Sequence, residues 1–238
     1  MVVEHALIPI RDINPRVRFP FMNILLMVGC GVTFGFQLSL GPELGPWIQA
    51  NAFVPARLRD ALASRPELLI EVGTAILLSM FLHGGWFHII GNLLYLRVFG
   101  DNVEDRLGHL AYPVFYGFSG IVGAVAQYLA QPGSRVPMVG ASGAVAGVLG
   151  AYIVLFPKAR VVTLFPIFVF LTFIEVPAFV FLGLWGLQQL LNGYASVTGP
   201  GAFERVAWFA HLGGFGFGLL CGILMRLRRR RIASGRAL

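Results

Sequence analysis

Apolar residues in this chain fall into long runs rather than into the short amphipathic stripes of a water-soluble fold. Crossing the hydrocarbon of a bilayer as a helix takes about 20 mainly apolar residues. Phe19 to Leu40 reaches that length, as do Thr74 to Phe99, Ala111 to Ala130, Met138 to Phe156 and Val206 to Leu227. Val161 to Leu191 is also apolar but is interrupted by Pro166, Glu175 and Pro177. Its first part reads as a loop or partial helix, and its second part, from about Ile174, as the fifth of six spans. Gly41 to Val72 holds four prolines and several charges, too polar to span, whereas Trp47, Phe53 and Val54 make it too apolar for a free linker. It reads as a structured loop at the membrane interface. The pattern therefore predicts an all-α polytopic membrane protein: an N-terminal segment (1–18), a six-helix bundle (19–227) and a basic tail (228–238).

Composition sharpens this picture. The 238 residues are 57% apolar and 12% charged, against roughly 25% charged in soluble domains. Thirty glycines suit close helix–helix approach in lipid, where small residues line the contacts. The net charge of +7 could suggest a nucleic-acid partner, but its placement argues otherwise. With six spans both ends lie on one side. Arg11, Arg16, Arg18, Arg97, Arg106, Lys158, Arg160, Arg226, Arg228 to Arg231 and Arg236 then share that side, against Arg57, Arg59, Arg65, Arg135 and Arg205 on the other. By the positive-inside rule both termini are cytoplasmic, with the chain in the cell (inner) membrane, and the run after Leu224 anchors on an anionic leaflet. No cleavable signal peptide is expected, because the first apolar run is long enough to span. Cys30 and Cys221 lie inside apolar runs and read as buried hydrophobes rather than a disulfide pair.

Polar side chains inside such runs are costly and point to function. Ser142 lies in Gly140-Ala141-Ser142-Gly143, and one face after it shows only Gly143, Gly147 and Gly150 or Ala151. Gly140 and Gly143 loosen the backbone around the serine and can expose its N–H. His211 precedes a second small-residue stripe, Gly214 and Gly218. Two such stripes can pack together and bring an imidazole to a hydroxyl, the pairing a serine nucleophile needs. His88 and Asn92, four apart on one helix face, offer N–H donors for a developing oxyanion. His83 could help hold water or shape the site. A metal centre is not expected from His83, His88 and His211: the first two are five apart, His-Glu-x-x-His is absent, and acidic residues are scarce nearby. Asp101 to Gly108 reads as a helix end and turn held by Glu104 and Arg106, and Glu175 as a helix start near water.

Together, His88-x-x-x-Asn92, Gly140-Ala-Ser142-Gly143 and Ala210-His211-x-x-Gly214-x-x-x-Gly218 resemble the rhomboid intramembrane proteases. Phe53 to Leu58, Phe81 to Trp86 and Gly100 to Gly108 are similar to stretches of bacterial members, and the likeness covers about Ala52 to Gly222. The resemblance implies a rhomboid-like six-helix fold with a Ser142–His211 dyad and no cofactor. It also implies an oxyanion site formed by the Ser142 N–H, His88 and Asn92. The fifth helix and the loop 192–205 would gate and cap the site. The partners implied are the lipid bilayer and transmembrane protein substrates whose helices unwind at small or helix-breaking residues. Two departures stand out. Ala146 occupies a place where many members carry an aromatic beneath the histidine, which leaves Tyr152 or Trp208 to orient His211. A Trp-Arg pair that anchors the first loop of some members is absent. The alternative reading is a catalytically inactive relative that binds membrane clients. A transporter is disfavoured, since the chain has no two-fold internal repeat.

Overall fold

The computed structural model describes residues 8–167, 170–198 and 206–233. Strand β1 (Ile8–Asp12) is followed by helices α1 (Phe21–Ser39), α2 (Leu44–Asn51), α3 (Pro55–Ser64), α4 (Leu69–Ser79) and α5 (Trp86–Tyr95). A five-residue π-turn, Leu96–Gly100, joins α5 to α6 (Asp101–Leu107). Next come α7 (Ala111–Ala130), α8 (Ser142–Leu155), β2 (Arg160–Ile167), β3 (Phe170–Pro177), α9 (Ala178–Thr198) and α10 (Trp208–Ala233). Helices α1 and α7 and the part of α10 from Trp208 to Arg229 are each long and apolar enough to cross a membrane, while apolar α8 is shorter. Exposed Val32 on α1, Phe118 and Leu129 on α7, and Leu224 on α10 give these helices the apolar outer faces that lipid requires.

The bundle closes around α8, which is buried from Gly143 to Tyr152. Its main contact is α10, followed by α7. A Cβ added at Gly214 would overlap the Gly143 carbonyl oxygen, and one at Gly218 would overlap that of Gly147. One at Gly123 of α7 would lie 2.7 Å from the Ala210 carbonyl oxygen. The two stripes expected from the sequence therefore meet backbone to backbone. Without a hydrophobic drive between helices in lipid, such close packing supplies the cohesion.

The second span begins and ends later than its hydropathy suggests. Instead of one helix from Thr74 to Phe99, α4 stops at Ser79 and a new helical run extends from Trp86 to Leu107. The break falls at Gly84-Gly85, where Gly85 takes φ 155°. The charges at the far end are accommodated by pairing. The Glu104 carboxylate, 1% exposed, accepts from the N–H groups of Met22 (3.0 Å) and Asn23 (2.7 Å) in the first turn of α1. Those amides have no intrahelical acceptor, and a carboxylate there also meets the positive end of the helix dipole. Asp105 accepts from the Val17 and Arg18 N–H groups, and Asp101 pairs with Arg16. Glu104 thus caps α1 as well as holding its own turn, where its carboxylate meets His109 Nδ1 and its carbonyl accepts from the Gly108 N–H, and Arg106 stacks over Phe156.

The segment after α8 is neither a loop nor a partial helix. β2 and β3 form an antiparallel hairpin in which Val161 faces Val176 and Val162 faces Glu175. β1 adds to β2 with Ile8 opposite Leu164, giving sheet order β1-β2-β3. β-branched and aromatic residues fit a pleated ribbon, and Pro177 ends it before α9. Glu175 is accordingly a strand residue paired with Arg160 at 3.3 Å, not a helix start, and the fifth helix begins at Ala178 rather than near Ile174. The N-terminal segment is likewise partly built into the fold through β1. Helix α9 extends to Thr198, so the expected loop 192–205 is helical as far as Thr198, and the remainder lies outside the described residues. Similarly α10 continues through Ala233, and the rest of the basic tail is outside the described residues.

Candidate active site

Ser142 is the first residue of α8, not an interior position of a helix starting at Met138. The four preceding residues are held extended or turned by loop contacts. The Met138 N–H donates to the Phe53 carbonyl (2.7 Å) and the Gly140 N–H to the Ser79 carbonyl (2.9 Å). Gly140 has φ +123°, a conformation that L side chains rarely adopt. It delivers Ser142 to a helix N-terminus, where first-turn N–H groups have no intrahelical acceptors. The same interactions anchor the first loop without a Trp-Arg pair. The Phe53 N–H donates to Ser79 Oγ (2.7 Å), and Arg57 donates to the carbonyls of Ala50 and Gln49.

His211 lies one turn into α10. Its Nε2 is 2.8 Å from Ser142 Oγ, the pairing anticipated from the two stripes. The start of α10 is positioned from α7 by Gln127, whose Oε1 accepts from the Phe209 N–H (3.1 Å). On its other side the imidazole is held by groups of which the sequence reading named one. Trp208 meets the ring edge-on at 6.0 Å. From α9, the Trp185 ring is tilted by 37° with its centroid also 6.0 Å away, and Gln189 Oε1 lies 2.7 Å from Nδ1. Tyr152 is not involved: its hydroxyl donates to Asp12 at 2.5 Å and its ring packs on Phe99. The aromatic that Ala146 does not provide thus arrives from a different helix. A glutamine four residues after a tryptophan on an apolar helix was the available signal.

His88 and Asn92 occupy one face of α5 turned toward the segment before Ser142. A Cβ on Gly140 would lie 2.5 Å from His88 Nε2 and 3.6 Å from Asn92 Nδ2, so glycine alone leaves room between these nitrogens and the serine strand. The Gly84 N–H donates to His88 Nδ1 (3.3 Å), which puts the proton of the neutral ring on Nε2. Asn92 Nδ2 is buried and has no hydrogen-bond partner among the described residues. A buried amide donor with nothing to bond to is costly. Here it faces the same space as His88 Nε2.

His83 supports this wall from behind. Its ring meets His88 edge-on at 5.3 Å. Gln37 of α1 clamps its backbone: Gln37 Nε2 donates to the His83 carbonyl (3.0 Å) and Gln37 Oε1 accepts from the His83 N–H (2.9 Å). A cavity of about 420 Å³ opens beside His88 between Trp86 and the Pro137–Val139 segment. A smaller one of about 40 Å³ touches Ser79, Gly140 and Ser142, room for little more than water.

The site is thus of a definite class, a serine–histidine contact at a helix N-terminus inside a helical membrane bundle, with the His88 and Asn92 side chains beside the segment that leads to the serine. Comparison with known proteins narrows the class. A Rhomboid domain is matched over residues 72–228, and the chain belongs to the rhomboid family. RHOMBOID-like protein 5 of Arabidopsis thaliana is 28% identical over 194 residues, 81% of this chain and 56% of that protein. Rhomboid protein 1, mitochondrial, of Saccharomyces cerevisiae is 33% identical over 177 residues, 68% of this chain and 46% of that protein. Presenilin-associated rhomboid-like protein, mitochondrial, of Bos taurus is 29% identical over 147 residues, 60% of this chain and 36% of that protein. The chain therefore spans about half the length of such relatives, or less.

Proposed function

We propose that this protein is an intramembrane serine endopeptidase that cuts transmembrane segments of other membrane proteins, with Ser142 as nucleophile and His211 as its base. The observation that carries this reading is the 2.8 Å contact between Ser142 Oγ and His211 Nε2 at the N-terminus of α8. In the first step Oγ bonds to the scissile carbonyl carbon while its proton passes to Nε2 and the carbonyl electron pair moves onto oxygen. That oxyanion is received by the Ser142 N–H, His88 Nε2 and Asn92 Nδ2, the donors that a developing negative charge needs in a buried site. Collapse breaks the C–N bond, and His211 returns the proton to the leaving amine. A water then attacks the acyl-serine by the same route in reverse. Substrate helices must open locally, because a helical carbonyl is already engaged in a backbone hydrogen bond. We place the protein in the cell (inner) membrane with both termini in the cytoplasm, on the asymmetry of its basic residues.

The test is cleavage of a transmembrane reporter by purified protein in detergent or proteoliposomes. Ser142→Ala or His211→Ala is expected to lower cutting by about 10³-fold or more while the protein remains folded. Asn92→Ala, which removes one oxyanion donor, is expected to cost about 10²- to 10³-fold. Full activity in the Ser142→Ala variant sinks the assignment. Client binding without cutting, together with failure of a fluorophosphonate to label Ser142, favours an inactive client-binding protein instead.

A further inference from the structure

The chemistry above uses one nitrogen of the His211 imidazole. The other is also engaged, by a helix that carries neither Ser142 nor His211. We propose that Gln189 on α9 is a positioning residue for His211, fixing its tautomer and supporting its protonated form, so that an amide takes the place a carboxylate holds in a triad. This rests on the protease reading of the site. Gln189 is 3% exposed, and its Oε1 lies 2.7 Å from Nδ1 of His211. The amide's orientation is set independently, because Nε2 donates to the Trp185 carbonyl at 3.2 Å, one turn earlier on α9. That leaves the oxygen as the atom turned toward the imidazole. An acceptor at Nδ1 requires the proton there, so the neutral ring presents its Nε2 lone pair to the Ser142 hydroxyl.

The opposite tautomer would set the Nδ1 lone pair against Oε1 and turn Ser142 Oγ into an acceptor, an arrangement that cannot withdraw its proton. Once the proton has moved, Nδ1–H remains bonded to a carbonyl dipole that favours the positive ring. The Trp185 and Trp208 rings flank the imidazole but offer no acceptor in its plane. Orientation of Nδ1 therefore falls to Gln189.

The experiment combines ring ¹⁵N chemical shifts of His211, assigned by difference from His211→Ala, with cleavage kinetics of the full chain in detergent. Wild type is expected to carry its neutral-ring proton on Nδ1, and Gln189→Leu to lose that preference. Gln189→Leu is expected to lower kcat by about 10- to 100-fold, with KM and thermal midpoint close to wild type, as for loss of a hydrogen bond to a group that becomes charged. Gln189→Glu is expected to recover much of that kcat and to move the acid limb of the pH profile upward, since a carboxylate beside Nδ1 favours the imidazolium. An Nε2-protonated wild-type ring overturns the proposal, as does an unchanged kcat in Gln189→Leu. Equal losses in both variants with no movement of the pH profile also overturn it, because they mark a packing role alone. The tautomer is read without turnover. Failure of the protease reading, shown by undiminished cutting in Ser142→Ala, is therefore distinguishable from failure of this one.

Discussion

Helices α8 and α10 meet through bare backbone, whereas α9 joins the bundle through side chains. At the first seam Gly214 and Gly218 lie against the carbonyls of Gly143 and Gly147. At the second, Trp185 packs on Phe215 with centroids 5.7 Å apart, and Gly186 of α9 faces the same ring. The difference has a chemical counterpart. The two atoms proposed to react sit on the tight seam, where little can slide without backbone collision. The group proposed to orient them sits on the looser one, on a helix tied at its start to a three-stranded sheet. A rigid pair served by a less constrained neighbour keeps the reacting geometry fixed while leaving one side of the site on a separable element.

Substitutions at matched glycines test this contrast most severely. In Gly218→Ala the new methyl would overlap the Gly147 carbonyl oxygen, a backbone atom that cannot turn aside. Forcing it in is expected to cost about 3 kcal/mol or more, read as a lowered thermal midpoint in detergent and a loss of cutting. A Gly218→Ala protein as stable as wild type would show that the seam is not close-packed.

A gentler perturbation acts on the tether of α9. Asp12 closes β1, accepting from the Tyr152 hydroxyl and from Asn102 Nδ2 (2.9 Å). Burial, with Asp101 nearby, pushes its carboxyl up from 3.8 to about 6, against the pull of the Tyr152 hydrogen bond. The fold thus favours neutral Asp12. Its contribution to docking β1 is complete below pH 3.8 and is lost as pH rises through about 6. Hydrogen exchange at the β1 amides should therefore be slower, after correction for the intrinsic rate, at pH 5 than at pH 8. Asp12→Asn should flatten that dependence. A dependence of the opposite sign would mean that the ionised carboxylate is the form the sheet prefers.

The smallest effect is expected at Gly183 of α9, where an added Cβ meets nothing within 4 Å. Gly183→Ala should alter stability by no more than about 1 kcal/mol, in the stabilising direction from helix propensity. A large loss there would place α9 in a seam as tight as that of α8 and α10.

Much of this arrangement is legible without coordinates, and the rest has a physical reason for being hidden. The helix from Ala111 to Ala130 coincides with its apolar run, since nothing but lipid and helix packing decides it. The second span does not. Glu104 and Asp105 look like water-seeking charges until their partners are known, and those partners are amides of residues about 80 positions earlier. The hairpin of β2 and β3 was obscured because a short apolar run suits a strand as well as a helix. The meeting of Ser142 with His211 was readable because each precedes a small-residue stripe, and His88 and Asn92 stood out as polar groups four apart on one helix face. The contacts of Gln189 and Gln37 were harder to read: Gln189 follows Gln188 four residues after Trp185, and nothing in an apolar run says which neighbouring helix its glutamine will bond.

What the chain alone determined is local and periodic. The apolar runs require helices in lipid because backbone groups there must bond within their own segment, and the glycine spacings dictate which helix faces can touch. Only the tertiary structure decided which atoms complete the site. It placed Gly140 at a positive φ against His88, aimed the unpartnered Asn92 amide at the same space, and brought the Gln189 carbonyl to His211. Those choices depend on hydrogen bonds between residues far apart in the chain, whose directions are fixed only when all the helices have packed.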